Sequence, residues 1–224
     1  MRIFAFMLLT AFFALLGCNN GTTNLDVETI RWDQKDNDGF FRFYTNDSQN
    51  YGRPFAALSD QVNNSATYEI ECKKVSGHQE IAYGLVFGAV DYENFYSLNI
   101  STTGYYTLSK RNSSNLMPIK EWERSDKLLT GYNKLNNLKV VKAGSRYTVF
   151  INGTEVHQFT DSSINGNKIG FFAWVGDESD ESFPNKPVDI RFREVTDTTR
   201  AVSMVYPSVR FESAASYGMR NDKY

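Results

Sequence analysis

Arg146-Tyr147-Thr148-Val149-Phe150-Ile151-Asn152-Gly153-Thr154-Glu155-Val156-His157-Gln158-Phe159 is the stretch that decides the fold. Two runs rich in β-branched and aromatic residues flank an Asn-Gly pair. That pair readily takes the positive φ angles of a type I′ turn, so the segment predicts an antiparallel hairpin. The same chemistry recurs on either side. Leu138-Lys139-Val140-Val141 reads as a strand before the hairpin, and Lys168 to Val175 and Val188 to Glu194 read as strands after it. Farther upstream, Tyr96, Leu98 and Ile100 alternate with Phe95, Ser97 and Asn99. Thr102-Thr103-Gly104 then turns the chain into Tyr105-Tyr106-Thr107-Leu108, a second hairpin. In Thr67 to Lys73, Tyr68, Ile70 and Cys72 share one face while Glu69, Glu71 and Lys73 share the other. No amphipathic helix of ordinary length competes with these strands, and no repeat of fixed period appears. Residues 27–195 are therefore expected to form one all-β, two-sheet antiparallel sandwich. Residues 196–224 change character, with more Ser and Thr and scattered aromatics. They read as an extension holding one return strand around Met204-Val205-Tyr206, then a tail.

Composition narrows the classes. The chain of 224 residues has 24 Lys plus Arg against 26 Asp plus Glu, and 2 Cys. It lacks the cysteine density of a disulfide scaffold and the long apolar runs of a multi-span membrane protein. A near-neutral, slightly acidic balance argues against nucleic acid as the main partner.

The amino-terminal segment carries its own signal. Met1-Arg2 is a short positive start, and Ile3 to Leu16 is apolar apart from Thr10. That run is short for a bilayer span and leads directly into Gly17-Cys18. Leu15-Leu16-Gly17-Cys18 resembles a bacterial lipobox, although Leu16 stands where the pattern prefers a small residue. The resemblance implies a signal peptide over residues 1–17, lipid attachment at Cys18, and a polar tether over residues 18–26. The alternatives are an ordinary secretory signal and an uncleaved anchor. Two or three acyl chains give stable membrane attachment, because each buried methylene contributes about 0.8 kcal/mol. Asn19 after the Cys is similar to the outer-membrane sorting pattern, which places the expected anchor in the outer rather than the inner membrane of a bacterial envelope. With Cys18 lipidated, Cys72 has no disulfide partner within the chain. On an apolar strand face it is expected to be a core thiol rather than a reactive one.

A second resemblance lies in the body. Tyr83-Gly84-Leu85-Val86-Phe87-Gly88-Ala89 and Tyr92-Glu93-Asn94-Phe95-Tyr96-Ser97-Leu98, followed by Asn137 to Val140, Arg146 to Gly153 and Gly166 to Val175, resemble concanavalin A-like jelly rolls. Laminin-G-like modules and the 3-keto-disaccharide hydrolase family share this layout. The likeness covers residues 68–195 and speaks for fold more than for activity. It implies a jelly-roll sandwich, a fold that hosts both lectins and glucanases, and it alone suggests hydrolysis of a glycoside or 3-keto-glycoside. The first expectation is non-catalytic carbohydrate binding, with a protein-binding or structural envelope lipoprotein as a further alternative.

Catalytic residues do not stand out. Glucanases of the jelly-roll class place carboxylates as Glu-x-Asp-x-Glu on one strand face, and retaining glycosidases need two carboxyl groups about 5 Å apart. The nearest approach is Asp177-Glu178-Ser179-Asp180-Glu181, which reads as a loop before Ser182-Phe183-Pro184. It suits a solvated acidic loop, a calcium site using Asp177, Glu178 and Asp180, or, less well, glycosidase carboxylates. Asp36-Asn37-Asp38-Gly39 fails as an EF-hand, since Gln34 and Thr45 fall where carboxylates are required. His78 and His157 are the only histidines and have no zinc spacing. No Gly-x-Ser-x-Gly elbow is present. Apart from calcium, no cofactor is implied.

Aromatic residues are the remaining lead, with 3 Trp, 13 Tyr and 17 Phe. Most are expected in the core. Some have the opposite parity. If Ile169, Phe171, Ala173 and Val175 face inward, Phe172 and Trp174 face outward, and Phe95 and Tyr105 are likewise opposite Tyr96, Leu98, Tyr106 and Leu108. Outward rings beside polar groups make a stacking platform for sugar, or a protein interface. They could equally pack beneath a loop. Trp122, between charged neighbours, could plug one end of the sandwich.

Overall fold

The computed structural model describes residues 31–33, 38–46, 54–58, 66–113, 115–175, 186–195 and 209–210. The Asn-Gly hairpin forms as the sequence requires. Its strands are β10 (Arg146–Ile151) and β11 (Thr154–Thr160), joined by Asn152 at φ 50° and Gly153 at φ 80°. Asn152 also anchors the turn: its Oδ1 accepts from the Asn137 N–H at 2.8 Å, and its Nδ2 donates to the Lys127 carbonyl at 2.7 Å. The second expected hairpin is β6 (Asn94–Ile100) and β7 (Tyr105–Asn112), paired antiparallel with Leu98 opposite Leu108.

These hairpins belong to opposite layers. The first sheet is built from β1 (Arg31–Asp33), β2 (Phe41–Thr45), β13 (Val188–Glu194), β4 (Thr67–Ser76), β9 (Asn136–Ala143), β10 and β11, in that order. The second runs β14 (Val209–Arg210), β3 (Pro54–Leu58), β12 (Lys168–Trp174), β5 (Tyr83–Ala89), β6, β7 and β8 (Asn115–Arg124). Both sheets have seven strands, and every described pairing is antiparallel. The chain passes repeatedly between the layers, and no helix occurs among the described residues. This is an all-β, two-sheet antiparallel jelly-roll sandwich. Met204-Val205-Tyr206 lie outside the described residues, and the strand described in the carboxy-terminal stretch is β14, paired to β3 through Val209 opposite Ala56.

Strict alternation places one apolar face of each sheet in the shared core. β4 contributes Tyr68, Ile70 and Cys72, β5 Tyr83, Leu85 and Phe87, and β12 Ile169, Phe171 and Ala173. Phe171 stacks across the sandwich on Phe192 with ring centroids 4.9 Å apart. Cys72 is free and buried, and burial first, then the neighbouring Glu71 charge, push its thiol far above the ordinary range. It is a core thiol, as expected. Gly88, at φ 59°, interrupts the alternation of β5, so that Phe87 points into the core while Ala89 joins the opposite face.

Candidate functional site

Alternation that sends Tyr96, Leu98 and Ile100 inward must send Phe95, Ser97 and Asn99 outward. On β7 the same rule sends Tyr105, Thr107, Ser109 and Arg111 outward, and on β12 Phe172 and Trp174. Register then assembles these positions into rows across the second sheet. Phe172 lies opposite Gly84, Gly84 opposite Asn99, and Asn99 opposite Thr107. In the next row Val86 lies opposite Ser97, and Ser97 opposite Ser109. Phe95 lies opposite Arg111. Small residues and short polar side chains thus occupy the middle, with rings toward the margins.

This face is withdrawn from solvent. Ser97, Asn99, Thr107, Ser109 and Arg111 are all buried. Beside them Phe95, Phe172 and Trp174 cluster with Ala56, Leu58, Ala82, Val86 and Ala89, and half-buried Tyr92 and Trp122 pack against that cluster. The sequence leaves two readings for these rings, open platform or packed beneath a loop, and the structure has them covered rather than open. The parity holds, but Trp174 is 7% exposed, Phe172 3% and Phe95 1%. The rings belong to one buried cluster with the small residues around them, and contiguous apolar surface on a sheet face is covered wherever it can be. Of the four rings singled out in the sequence, Tyr105 alone is open, at 41%. It stands at the start of β7 opposite Arg124.

The polar groups are mostly, but not wholly, satisfied. Thr107 Oγ1 donates to the Lys120 carbonyl at 2.7 Å, tying β7 to β8. Asn99 Nδ2 donates to Ser97 Oγ at 3.1 Å, yet Asn99 Oδ1 is buried without a hydrogen-bond partner. Burial pulls the Arg111 guanidinium down from the ordinary arginine range, with the Glu93 charge acting in the opposite direction. No Asp or Glu occurs in the sequences of β5, β6, β7 or β12, the four strands that floor this face.

Gly84 has a different reason to be glycine. A Cβ there would lie 2.0 Å from the Leu98 carbonyl oxygen, so β5 and β6 approach closely at that point and no larger residue fits. The consequence for the face is a bare stretch of backbone beside Asn99.

Other candidates fall elsewhere. Cys18, Asp177, Glu178 and Asp180 lie outside the described residues. Among the described residues no group of three His, Cys, Asp or Glu could hold a metal ion, and no helix is long and apolar enough to cross a membrane. His157 sits half-buried on β11. Burial, then the Lys120 charge, lower its pKa from the ordinary histidine range, and Glu123 opposes them. Sequence reasoning named Ser97 and Asn99 only as the alternates of the core residues, and did not single out Ser109 or Arg111. The available signal was the middle of two adjacent strands, where the outward positions Ser97, Asn99, Thr107 and Ser109 are uncharged hydroxyls and an amide.

No family model matches the chain, and no curated protein matches it. Solved structures align with much of the chain. The carbohydrate binding module CBM66 from Bacillus subtilis aligns with a TM-score of 0.49 and 16% identity, over 73% of this chain and 88% of that one. A Bacillus licheniformis beta-glucanase aligns with a TM-score of 0.49 and 12% identity, over 75% and 81%. A prokaryotic beta-1,3-1,4-glucanase (lichenase) derived from a mouse hindgut metagenome gives 0.47 and 11%, over 75% and 84%.

Proposed function

We propose that this protein is a lipid-anchored lipoprotein of the bacterial envelope whose jelly roll binds carbohydrate without catalysis, on the outer face of the second sheet. The observation that carries this is the row of buried Ser97, Asn99, Thr107 and Ser109 set among Phe95, Phe172, Trp174 and Trp122. A face that served only as an inner packing surface would be apolar throughout, since each buried polar group costs free energy unless it is paired. Hydroxyls and amides between rings match the two surfaces of a sugar, a flat apolar one and an edge of hydroxyl groups. Tyr105, exposed at the margin, is the ring a ligand meets first. Because the floor is buried in the free chain, binding involves rearrangement of the side chains bordering it.

Hydrolysis would need an acid and a second carboxylate close together; the four floor strands contribute neither, so such a pair would have to come from outside them. The anchor rests on the run Ile3 to Leu16 ending at Gly17-Cys18, and the sorting preference for the outer membrane on Asn19. Incorporation of labelled palmitate by the full chain, lost in Cys18→Ala, checks the attachment. A label retained by that variant overturns it.

The test of binding is a glycan array probed with soluble protein beginning at Asn19, alongside Tyr105→Ala and Trp122→Ala. Both substitutions remove a marginal ring rather than a fully buried one. Affinity is expected to fall about tenfold for each, in line with the stacking contribution of an aromatic ring. If the folded wild-type protein binds no glycan, the function proposed here is wrong.

A further inference from the structure

A buried amide in the middle of a β-sheet face ordinarily satisfies both ends of its head group. Asn99 satisfies one. Its Nδ2 is engaged by Ser97 Oγ at 3.1 Å, while Oδ1 is sealed from solvent with no donor in reach. The residue is 0% exposed and lies between Gly84, which offers no side chain, and Thr107, whose hydroxyl proton is already given to the Lys120 carbonyl. The donors nearest in register are therefore absent or committed. Leaving an acceptor in this state costs the free protein stability, of the order of a lost hydrogen bond.

We infer that Asn99 Oδ1 is a specificity determinant that receives the hydroxyl proton of a neutral saccharide. This rests on the carbohydrate-binding function proposed above and adds the ligand's chemistry. A carboxylate brings acceptors only and would set oxygen against oxygen at this position. An ammonium group would donate to the Oδ1 but has no lone pair with which to accept from a neighbouring hydroxyl. A hydroxyl is the neutral group that donates to Oδ1 and still accepts from a neighbour.

This makes a pair of opposed expectations for Asn99→Leu. Removing the unpaired acceptor is expected to raise the melting temperature of the free protein by about 2–4 °C. The same change is expected to weaken glycan binding at least tenfold, because the ligand hydroxyl loses its acceptor. A residue that merely held the fold together would show the reverse in the first measurement. Asn99→Ala makes the same deletion without added bulk, in case leucine disturbs the packing.

The array is composed of neutral hexose, uronate and amino-sugar oligosaccharides, and both variants are probed beside the wild type. Binding of neutral oligosaccharides, lost in a variant whose melting temperature rises or holds, supports the assignment. Neutral binding that survives unchanged in both variants overturns the role of Asn99 and leaves carbohydrate binding standing. Binding confined to uronates or amino sugars overturns the neutral class. A lowered melting temperature in both variants overturns it too, since the amide would then be satisfied in the free protein. No binding by the wild type overturns the underlying function instead.

Discussion

The two outward faces of this sandwich obey one alternation rule and solve opposite problems. On the first sheet the outward positions are charged and paired. Arg42 and Arg191 both donate to the Asp189 carboxylate, at 2.8 and 2.9 Å, and Arg193 donates to Glu71. Lys139 stands 3.7 Å from Glu69, and the Asn137 amide donates to the same carboxylate at 2.9 Å. Arg193 and Lys73 also lie over the Phe40 ring at 4.4 and 4.7 Å. On the second sheet the floor strands carry no acid, the hydroxyls and amides are uncharged, and the rings are buried. The first face is dressed for water. The second is withdrawn from water, and one of its acceptors, Asn99 Oδ1, is buried without a partner. Where a β-sandwich buries uncharged hydroxyls and amides in the middle of an outward face, solubility has ceased to be what selects the residues there.

The contrast is sharpest at Gly84. Substitution by alanine would drive a Cβ to 2.0 Å from the Leu98 carbonyl oxygen, a contact that only backbone displacement relieves. The expected loss is about 4 kcal/mol or more, seen as a failure to accumulate folded protein or as a large drop in the urea midpoint. On the other outward face, Glu71→Ala removes one arm of a half-exposed ion pair and is expected to shift the same midpoint little. Comparable midpoints for the two variants would mean that the close approach of β5 and β6 is not a constraint on this face.

A matched pair of phenylalanines sharpens the comparison further. Phe172 is buried in the outer cluster of the second sheet, whereas Phe150 is half-buried on the outward face of β10, with Lys139 Nζ 6.0 Å from its ring centroid. Phe172→Ala is expected to cost about 3–5 kcal/mol, through lost burial and the cavity left behind. Phe150→Ala is expected to cost about 1 kcal/mol, since most of what it loses is partial burial. Equal losses, measured by chemical denaturation, would erase the distinction between a covered and a solvated face.

How far the sequence revealed this difference depends on which quantity is asked for. Parity was legible: Phe172, Trp174 and Phe95 do point away from the main core, because side-chain direction in a strand follows from counting alone. Their burial was not, because it depends on what lies against the outward side, and a strand's own residues carry no record of that. Lys74 shows the same limit inside the core. Alternation in β4 puts Lys74 on the inward face, where it is buried and donates from Nζ to the His78 and Ile81 carbonyls at 2.9 and 2.7 Å. Desolvation holds its pKa well below the ordinary lysine range. Two carbonyls brought within reach by a turn are a tertiary fact with no periodic signature. Gly84 is likewise only a glycine until register sets it against Leu98. Asn99 lay between these cases, because its outward direction could be counted but its unpaired oxygen depended on what Ser97, Gly84 and Thr107 did around it.

The smallest effect belongs to the first sheet, and its smallness is the point. Lys139 is about a third exposed, and its Nζ is 3.7 Å from Glu69 Oε2, near the limit of an ion pair. At that separation and exposure, water and salt screen most of the attraction, and holding two long side chains in place offsets part of the rest. Lys139→Ala is therefore expected to change stability by no more than about 0.5 kcal/mol, with the difference vanishing in molar salt. Denaturation of the two proteins at low and high ionic strength checks this directly. A loss of several kcal/mol that persisted in salt would show that the charged face, too, carries packing energy. The two faces would then differ in chemistry but not in the work they do for the fold.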